Sequence, residues 1–157
     1  MKKVIAIVTV LLVSIITITA CGSSSEEIDS FEEGTVTVFS NGEEIEPFKS
    51  WAHGEFTDED GQTMAGDAPP LTERVDIDSL KTVKYSSDFE VRVTGNPRGI
   101  IYNTFTDDLG TYGGSSSYSS DITIPSEKGL YIISVQVRWG VTGNYNAYDY
   151  FFKLLIE

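Results

Sequence analysis

Apolar and polar residues alternate most clearly near the C-terminus of the chain. In the segment GLYIISVQVRWG, residues 129–140, every second position from Tyr131 onward is apolar and most positions between are polar. The segment AYDYFFKLLIE, residues 147–157, repeats this period of two from Tyr148 onward. A period of two is typical of a β-strand with one buried face. Because the short Gly-Asn segment VTGNYN separates the two runs, they predict a long antiparallel hairpin.

Shorter segments with the same period precede the hairpin. An Asn-Gly pair at 41–42, a frequent sequence in two-residue hairpin turns, follows the first of them. A Gly-Asn-Pro sequence at 95–97 predicts another turn, and we expect the strand after it to pair with the strand before it. The last short strand is expected to stop at Pro125. The predicted strands are 35–40, 87–94, 99–105 and 122–124. After the Asn-Gly pair, Ile45 and Phe48 continue an apolar pattern up to Pro47.

These strands define the expected fold class. No segment after residue 34 has a sustained helical period, and residues 77–83 could form one helical turn at most. The chain has 157 residues, of which 40% are hydrophobic, which suffices for one domain with a real core. Short strands separated by Gly, Asn and Pro turns are typical of an antiparallel β-sandwich. We therefore predict an all-β sandwich over 35–157, with the final hairpin at its centre and Trp51 and Trp139 in its core.

The N-terminus has a different pattern. Lys2 and Lys3 precede residues 4–20, VIAIVTVLLVSIITITA, which carry no charge. This run is slightly shorter than the about 20 residues of a membrane-spanning helix, and it ends in small residues. The layout predicts a cleaved signal peptide over residues 1–20, with an uncleaved signal anchor as the alternative.

The sequence Ile18-Thr19-Ala20-Cys21 resembles the lipobox of bacterial lipoproteins. In that family the cysteine thiol receives a diacylglyceryl group, and a peptidase then cuts before the cysteine, which becomes the mature N-terminus. The resemblance implies that Cys21 is lipidated and that the chain is anchored to the extracytoplasmic face of the cell membrane. Two acyl chains hold a protein stably at a membrane, whereas one is marginal.

An acidic, small-residue segment follows the cysteine. Residues 21–34 read CGSSSEEIDSFEEG and predict a flexible linker. The chain has 11 Lys+Arg, 24 Asp+Glu and a net charge of −13. Loss of residues 1–20 removes two lysines, which leaves nine basic residues against 24 acidic ones and a net charge of −15. Such a surface repels nucleic acid and anionic lipid headgroups, so we expect no nucleic-acid partner.

The folded part also resembles a known group of domains. Its ending, GLYIISVQVRWG followed by YDYFFKLLIE, is similar to the end of poorly characterised extracytoplasmic β-sandwich domains of bacterial lipoproteins and membrane sensor proteins. The segment NGEEIEPFKSWAHGEF, residues 41–56, is similar to the opening of that group. The resemblance implies an immunoglobulin-like sandwich. It rests on core and turn residues, so it implies no catalytic residue.

Residues with catalytic or metal-binding chemistry are few. The single cysteine cannot form an intramolecular disulfide or a cysteine-rich zinc site. His53 is the only histidine and no G-x-S-x-G motif accompanies it, so we expect it to be a packing or surface residue. Asp58 begins a calcium-like sequence, but Thr63 and Pro69 occupy the sixth and twelfth positions, where Gly and Glu are needed. We predict a solvated turn there, with a weak calcium site as the alternative, and no metal, cofactor or catalytic residue elsewhere.

Two segments are predicted to be loops. Residues 110–121, GTYGGSSSYSSD, have the Gly, Ser and Tyr composition of adaptable binding loops. Tyr112 and Tyr118 would be the contact residues in such a loop, and a connection without function is the alternative. Residues 57–72 form the second predicted loop.

Three classes of function agree with these features. The first is a membrane-tethered binding or interaction module with a protein or cell-wall ligand. The second is a tethered protease inhibitor or partner-regulating domain, which would insert the 57–72 or 110–121 loop into its target. The third is a carboxylate-dependent enzyme, for which the spacing of acidic residues selects no pair. An anchor, a spacer, a scaffold for loops and the lack of a recognisable catalytic motif favour the binding module.

Overall fold

The computed structural model describes residues 32–106, 109 and 122–157, which belong to one compact unit, Phe31–Glu157. The described chain is predominantly β, with one short helix, α1, at Leu71–Arg74 and a 3₁₀ turn at Ile77–Ser79. Its strands are β1 (Val36–Ser40), β2 (Glu43–Ile45), β3 (Phe48–Thr57), β4 (Thr63–Asp67), β5 (Thr82–Lys84), β6 (Glu90–Val93), β7 (Gly99–Phe105), β8 (Gly129–Val141) and β9 (Asn144–Ile156).

The strands form two sheets. Sheet A has the order β2-β1-β6, and sheet B has the order β4-β3-β9-β8-β7; all these pairings are antiparallel. β5 pairs in parallel with the last part of β9, beyond Phe151, the partner of the first residue of β3. The predicted hairpin is confirmed: β8 and β9 pair along their whole length and lie in the middle of sheet B.

A hydrophobic core lies between the two sheets. It combines the alternate apolar residues of the hairpin with residues of sheet A, because a strand presents every second side chain to the same face. Its largest fully buried members include Trp139, as predicted. The core residues are Val36, Val38, Val83, Tyr102, Ile133, Val135, Val137, Trp139, Tyr150, Phe152 and Leu154. Two sheets around a common core make the fold β-sandwich-like.

A second, smaller core covers part of the outer face of sheet B. Ile132 and Phe151 point away from sheet A and are nevertheless buried. They pack with Phe105 and Leu109 and with residues of the segment that carries α1 and the 3₁₀ turn, including Val75. This second core explains why the hairpin contains the neighbouring apolar pairs Ile132-Ile133 and Phe151-Phe152, which interrupt its alternation.

The predicted Asn-Gly turn is present between β1 and β2. Asn41 and Gly42 have φ values of 55° and 74°, which is the left-handed conformation that a two-residue type I′ turn needs at both positions. Asp88 holds the turn, because its carboxylate accepts hydrogen bonds from both backbone N–H groups at 2.9 Å. The hydroxyl of Ser86 and these two N–H groups lower the pKa of Asp88 to about 2.

Two predicted strand assignments are wrong. β7 does not pair with β6; it pairs with β8, so the turn at 95–97 carries the chain from one sheet to the other. Residues 122–124 do not form a strand, although Ile122 and Ile124 pack against the main core. In both cases the local pattern identifies buried residues correctly, but pairing depends on distant strands that the pattern does not specify.

The predicted loop over 57–72 contains a strand. β4 pairs with β3 through a short turn and forms the edge of sheet B. All five β4 residues are exposed, so their sequence TMAGD lacks the alternation that marks a half-buried strand. The calcium-like segment is the turn of this hairpin: Asp58 accepts hydrogen bonds from the backbone N–H groups of Asp60 and Gln62 at 3.0 and 2.8 Å.

Candidate functional site

Several residues singled out in the sequence lie outside the described part of the chain. These are Cys21, Tyr112 and Tyr118, together with the signal peptide and most of the linker. Three residues of the predicted linker, Glu32, Glu33 and Gly34, are described, and Glu33 contacts sheet B through the side chains described below.

Three large apolar side chains are exposed together at the β3–β4 edge of sheet B, and we call Trp51, Phe56 and Met64 the aromatic patch. Their exposed fractions are 38%, 47% and 63%. Phe56 pairs with Met64 across the hairpin, and a β-bulge after Trp51 restores it to the same face as Phe56. The prediction that Trp51 packs in the core is wrong, because sheet A does not cover this edge of sheet B.

Two glycines lie beneath the indole ring of Trp51, and one of them makes room for it. A Cβ atom at Gly66 would lie 3.1 Å from Cη2 of Trp51, which is too close for ordinary contact. A Cβ atom at Gly54 would be in ordinary contact with Cζ2 at 3.7 Å, and its close contacts would be with Oδ1 of Asn146 and the carbonyl of Tyr145. The ring therefore lies across the backbones of β3 and β4, where side chains would otherwise stand. This arrangement gives the patch a flat floor, and it leaves part of the indole open to solvent.

A network of polar side chains borders the patch. Glu33 accepts hydrogen bonds from the Tyr148 hydroxyl at 2.8 Å, from Nδ2 of Asn146 at 3.2 Å and from Nζ of Lys49 at 3.2 Å. Nε1 of Trp51 donates to Oδ1 of Asn146 at 3.4 Å. Lys49 also lies 3.8 Å from the centroid of the Tyr148 ring, within range of a cation–π contact. These contacts fix the edge of the indole while its face stays accessible.

Burial and the neighbouring carboxylate of Glu33 both raise the pKa of Tyr148, the tyrosine of this network. Desolvation, followed by the hydrogen bond to Glu33 and its negative charge, raises the pKa of Tyr148 to about 12. Desolvation, followed by the charges of Glu33 and Tyr148, raises the pKa of Tyr150. Both phenols therefore stay protonated at physiological pH, and Tyr148 acts as a hydrogen-bond donor to Glu33.

A buried ion pair supports the patch from the other face of sheet B. Arg74, at the end of α1, lies 2.5 Å from Oδ2 of Asp149, and both side chains are mostly buried. Gln136 donates to the other oxygen of Asp149 at 3.0 Å. Arg74 also donates to Oγ of Ser50 at 2.9 Å and to the carbonyl of Trp51 at 2.7 Å. The guanidinium thus donates to a backbone carbonyl of β3 at its bulge, and this hydrogen bond holds Trp51 in place.

A second group of side chains lies near the tip of the β8–β9 hairpin, where Arg138 projects from the outer face of sheet B and Arg98 directly precedes β7. Arg98 and Arg138 line a cavity of about 360 Å³, which Gly140, Val141 and Thr142 complete. The guanidinium of Arg138 lies 3.8 Å from the ring centroid of Tyr145. We call this group the arginine cavity.

His53 is half-buried beside the same tyrosine. Its Nδ1 lies 3.4 Å from the Tyr145 hydroxyl, and the two rings meet edge to face with their centroids 5.6 Å apart. This contact agrees with the expectation that His53 is a packing or surface residue.

Sequence reasoning did not find the patch, the ion pair or the cavity. For the ion pair the sequence holds one signal, since Asp149 interrupts an apolar strand and a buried carboxylate needs a partner. For the patch, Gly54 and Gly66 are glycines inside strands, which mark places where something approaches the backbone closely. The arginine cavity has no comparable signal, because the proximity of Arg98 and Arg138 depends on the pairing of β7 with β8.

Other kinds of site are not formed by the described residues. Within 32–106, 109 and 122–157, no group of three or more His, Cys, Asp or Glu side chains is arranged to hold a metal ion. No helix in these ranges is long and apolar enough to cross a membrane.

The chain was also compared with known proteins. Comparison with protein-family models, with curated proteins and with solved structures finds no significant match. Inferences about function therefore rest on the residues and the geometry described above.

Proposed function

We propose that the chain is a lipid-anchored extracytoplasmic lipoprotein whose folded part, an immunoglobulin-like sandwich, is a binding module. The observation that carries this proposal is the aromatic patch. Trp51, Phe56 and Met64 are exposed together beside an ordered polar network. Contiguous exposed apolar side chains on a soluble domain mark interaction sites, and Trp is among the residues most enriched at the centres of interfaces.

The patch has the energetic character of a recognition surface. Covering roughly 100 Å² of an aromatic side chain contributes about 2.5 kcal/mol at about 25 cal/mol per Å². The indole is already held by the Asn146 hydrogen bond and by the glycine floor, so binding orders it at little further cost. The polar groups of Lys49, Glu33 and Asn146 stand at the rim, where they can align a partner. A protein or a cell-wall glycan presenting an apolar face fits this surface.

The acidic charge limits the class of partner. With a net charge of −13 for the whole chain, the domain repels nucleic acid and anionic membrane surfaces at distances within the Debye length. The patch is an apolar region on this acidic surface, so recognition there depends on shape and apolar contact more than on charge.

Site-specific crosslinking tests the binding role. In the full chain, expressed in the producing bacterium, Phe56 is replaced by a photoreactive phenylalanine analogue, and in a control chain Leu130 is replaced instead. The two positions are matched in exposure, 47% and 48%, and Leu130 lies at the opposite end of β8 from the patch. We expect a discrete adduct, visible on a gel, from position 56 and none from position 130. Equal adducts from both positions, or none from either, would contradict the proposal.

The membrane anchor has a separate test. Cys21→Ala removes the only thiol in the chain, so it is expected to abolish metabolic labelling with radioactive palmitate and to release the cut chain from the membrane fraction. Ser23→Ala, two residues later, is the matched control and should label as the natural chain does. Continued membrane attachment of a cleaved Cys21→Ala chain would contradict lipid anchoring while leaving the aromatic patch unaffected.

A further inference from the structure

The arginine cavity is lined by two arginines that form no ion pair in the described chain. Arg74 and Arg92 form ion pairs with Asp149 and Glu90. Arg98 and Arg138 form no ion pair within the part of the chain that the structure describes. Both line the same cavity of about 360 Å³. In a chain with a net charge of −13, two arginines without an ion pair that line one cavity form a local positive site, and the nearby carboxylate of Glu55 is held by the backbone N–H of Gly143 at 3.2 Å.

The backbone holds the two arginines side by side. Arg138 is the register partner of Gly99, and the backbone N–H of Arg98 donates to the carbonyl of Arg138 at 2.8 Å. Arg98 directly precedes β7, the neighbour of β8, so the two side chains start from adjacent segments of the chain. Gly140 follows two residues after Arg138 on the same face, and because it has no side chain, the space beside the guanidinium stays open.

The guanidinium of Arg138 is also oriented in advance. Its position over the Tyr145 ring covers one of its faces, and the contact of Tyr145 with His53 steadies that ring in turn. Nε of Arg138 is buried and has no hydrogen-bond partner in the described chain. Because Nε is not accessible, the terminal NH₂ groups of Arg138 are the donors that a ligand in the cavity can reach.

We propose that the arginine cavity binds a phosphate group, either free or in an ester. Guanidinium groups recognise phosphate through several parallel, charge-assisted hydrogen bonds, and two of them can surround one such group. The volume of the cavity lies in the range of small-ligand sites, so there is room for the phosphate and for a small substituent. The site is distinct from the aromatic patch, since it lies on the other face of sheet B, and it does not depend on the membrane anchor.

Titration of the purified full chain tests the site directly. The probes are inorganic phosphate and glycerol 3-phosphate, followed by the broadening of their ³¹P signals at low ionic strength, with acetate as a competitor. We expect saturable binding of both probes and weak competition by acetate. Tighter binding of glycerol 3-phosphate would identify an ester as the preferred form, and equal binding would identify the phosphate group alone as the recognised element.

Three arginine variants separate a specific site from general attraction. Arg98→Gln and Arg138→Gln are each expected to weaken binding by at least about tenfold, because each removes a charge-assisted contact. Arg92→Gln is the matched control: this arginine is also stacked on an aromatic ring, that of Phe39 at 4.2 Å, but lies in sheet A. The affinity of Arg92→Gln for both probes should stay unchanged. Circular dichroism confirms that each variant is folded.

Two results would overturn the proposal. The first is the absence of saturable binding of either probe to the folded natural chain. The second is an equal loss of affinity in Arg92→Gln and Arg138→Gln, which would show that the probes respond only to the overall charge.

Discussion

Trp139 and Trp51 project from the same face of sheet B, from the two strands that flank β9. Trp139 is 1% exposed, and its Nε1 donates to the carbonyl of Thr94, at the end of β6, at 3.3 Å. Trp51 is 38% exposed, and its Nε1 donates to Asn146, which pairs with Trp139 in the β8–β9 register. Asn146 of β9 thus lies between the buried Trp139 and the exposed Trp51.

The difference between the two residues comes from the widths of the sheets. Sheet A has three strands, whereas sheet B has five in its main order and a sixth beside β9. At a spacing of about 4.8 Å between strands, three strands cannot cover five or six. Thr94, which follows β6 of sheet A, accepts the hydrogen bond from Trp139. On the side of Trp51, Glu33 is hydrogen-bonded to Tyr148 at the border of the uncovered part of sheet B. The β3–β4 edge therefore has large apolar side chains, those of the aromatic patch, that sheet A does not cover. Such a surface is suitable for binding a partner.

Replacing each tryptophan by alanine compares the buried and the exposed side chain, and it should give the largest difference in the free energy of unfolding. Trp139→Ala is expected to lower the free energy of unfolding by about 4 kcal/mol, because it leaves a cavity in the main core. Trp51→Ala should lower it by less than about 1 kcal/mol, because half-exposed side chains contribute less. Urea unfolding followed by circular dichroism measures both.

The stability of the whole domain limits how this first experiment is done. A loss of that size approaches the total stability of a small domain, so Trp139→Phe serves as a milder variant if Trp139→Ala does not fold. If Trp51→Ala destabilises the domain as much as Trp139→Phe does, the patch belongs to the core and is not a free surface.

The ion pair beneath the patch should give the next largest effect. Asp149→Ala leaves the mostly buried charge of Arg74 without its partner, so we expect a loss of about 3 kcal/mol in the free energy of unfolding. The control is Lys84→Ala, which breaks a pair with Glu157 whose side chains are 60% and 68% exposed, and should change stability by less than about 0.5 kcal/mol. Similar losses for both variants in urea unfolding would contradict the supporting role of Arg74.

The alternation of apolar residues was enough to predict the all-β class, the central hairpin and the burial of Trp139. It succeeds there because β8 and β9 pair with each other through a two-residue turn, so local sequence determines both partners. The Asn-Gly turn at 41–42 is predictable for the same reason. Where partners are distant in sequence, as for β7 with β8 or β3 with β9, the pattern indicates a strand and leaves its neighbours undetermined.

The candidate sites follow the same division. Trp51 is a large apolar residue of the kind found in cores, and the width of the opposite sheet decides that it is exposed. Arg74 reaches Asp149 across 75 positions of the chain, and Arg98 comes beside Arg138 through strand pairing. These contacts depend on tertiary structure, so a single sequence predicts the residue types present without predicting which of them meet.

A change in the glycine floor should alter the patch with little effect on stability. In a Trp139→Phe background Trp51 is the only tryptophan, and Gly66→Ala places a Cβ 3.1 Å from its ring. We expect the indole to shift, with a change in its fluorescence maximum and less than about 1 kcal/mol lost in unfolding. Gly99→Ala is the control, because a Cβ there meets nothing within 4 Å. Identical spectra for both variants would show that the floor does not position Trp51.

The smallest expected effect on stability concerns sheet A, which covers Trp139 and does not cover Trp51. Asp88 holds the β1–β2 turn of this sheet. Its pKa is lowered from 3.8 to about 2 in the folded chain, so the folded state favours the ionised carboxylate. The stabilisation is therefore fully present above about pH 4 and is lost as the pH falls toward 2. Asp88→Asn should remove this dependence, so the difference in unfolding free energy between the natural chain and the variant should shrink between pH 5 and pH 2. A constant difference over that range would mean that the carboxylate charge does not hold the turn.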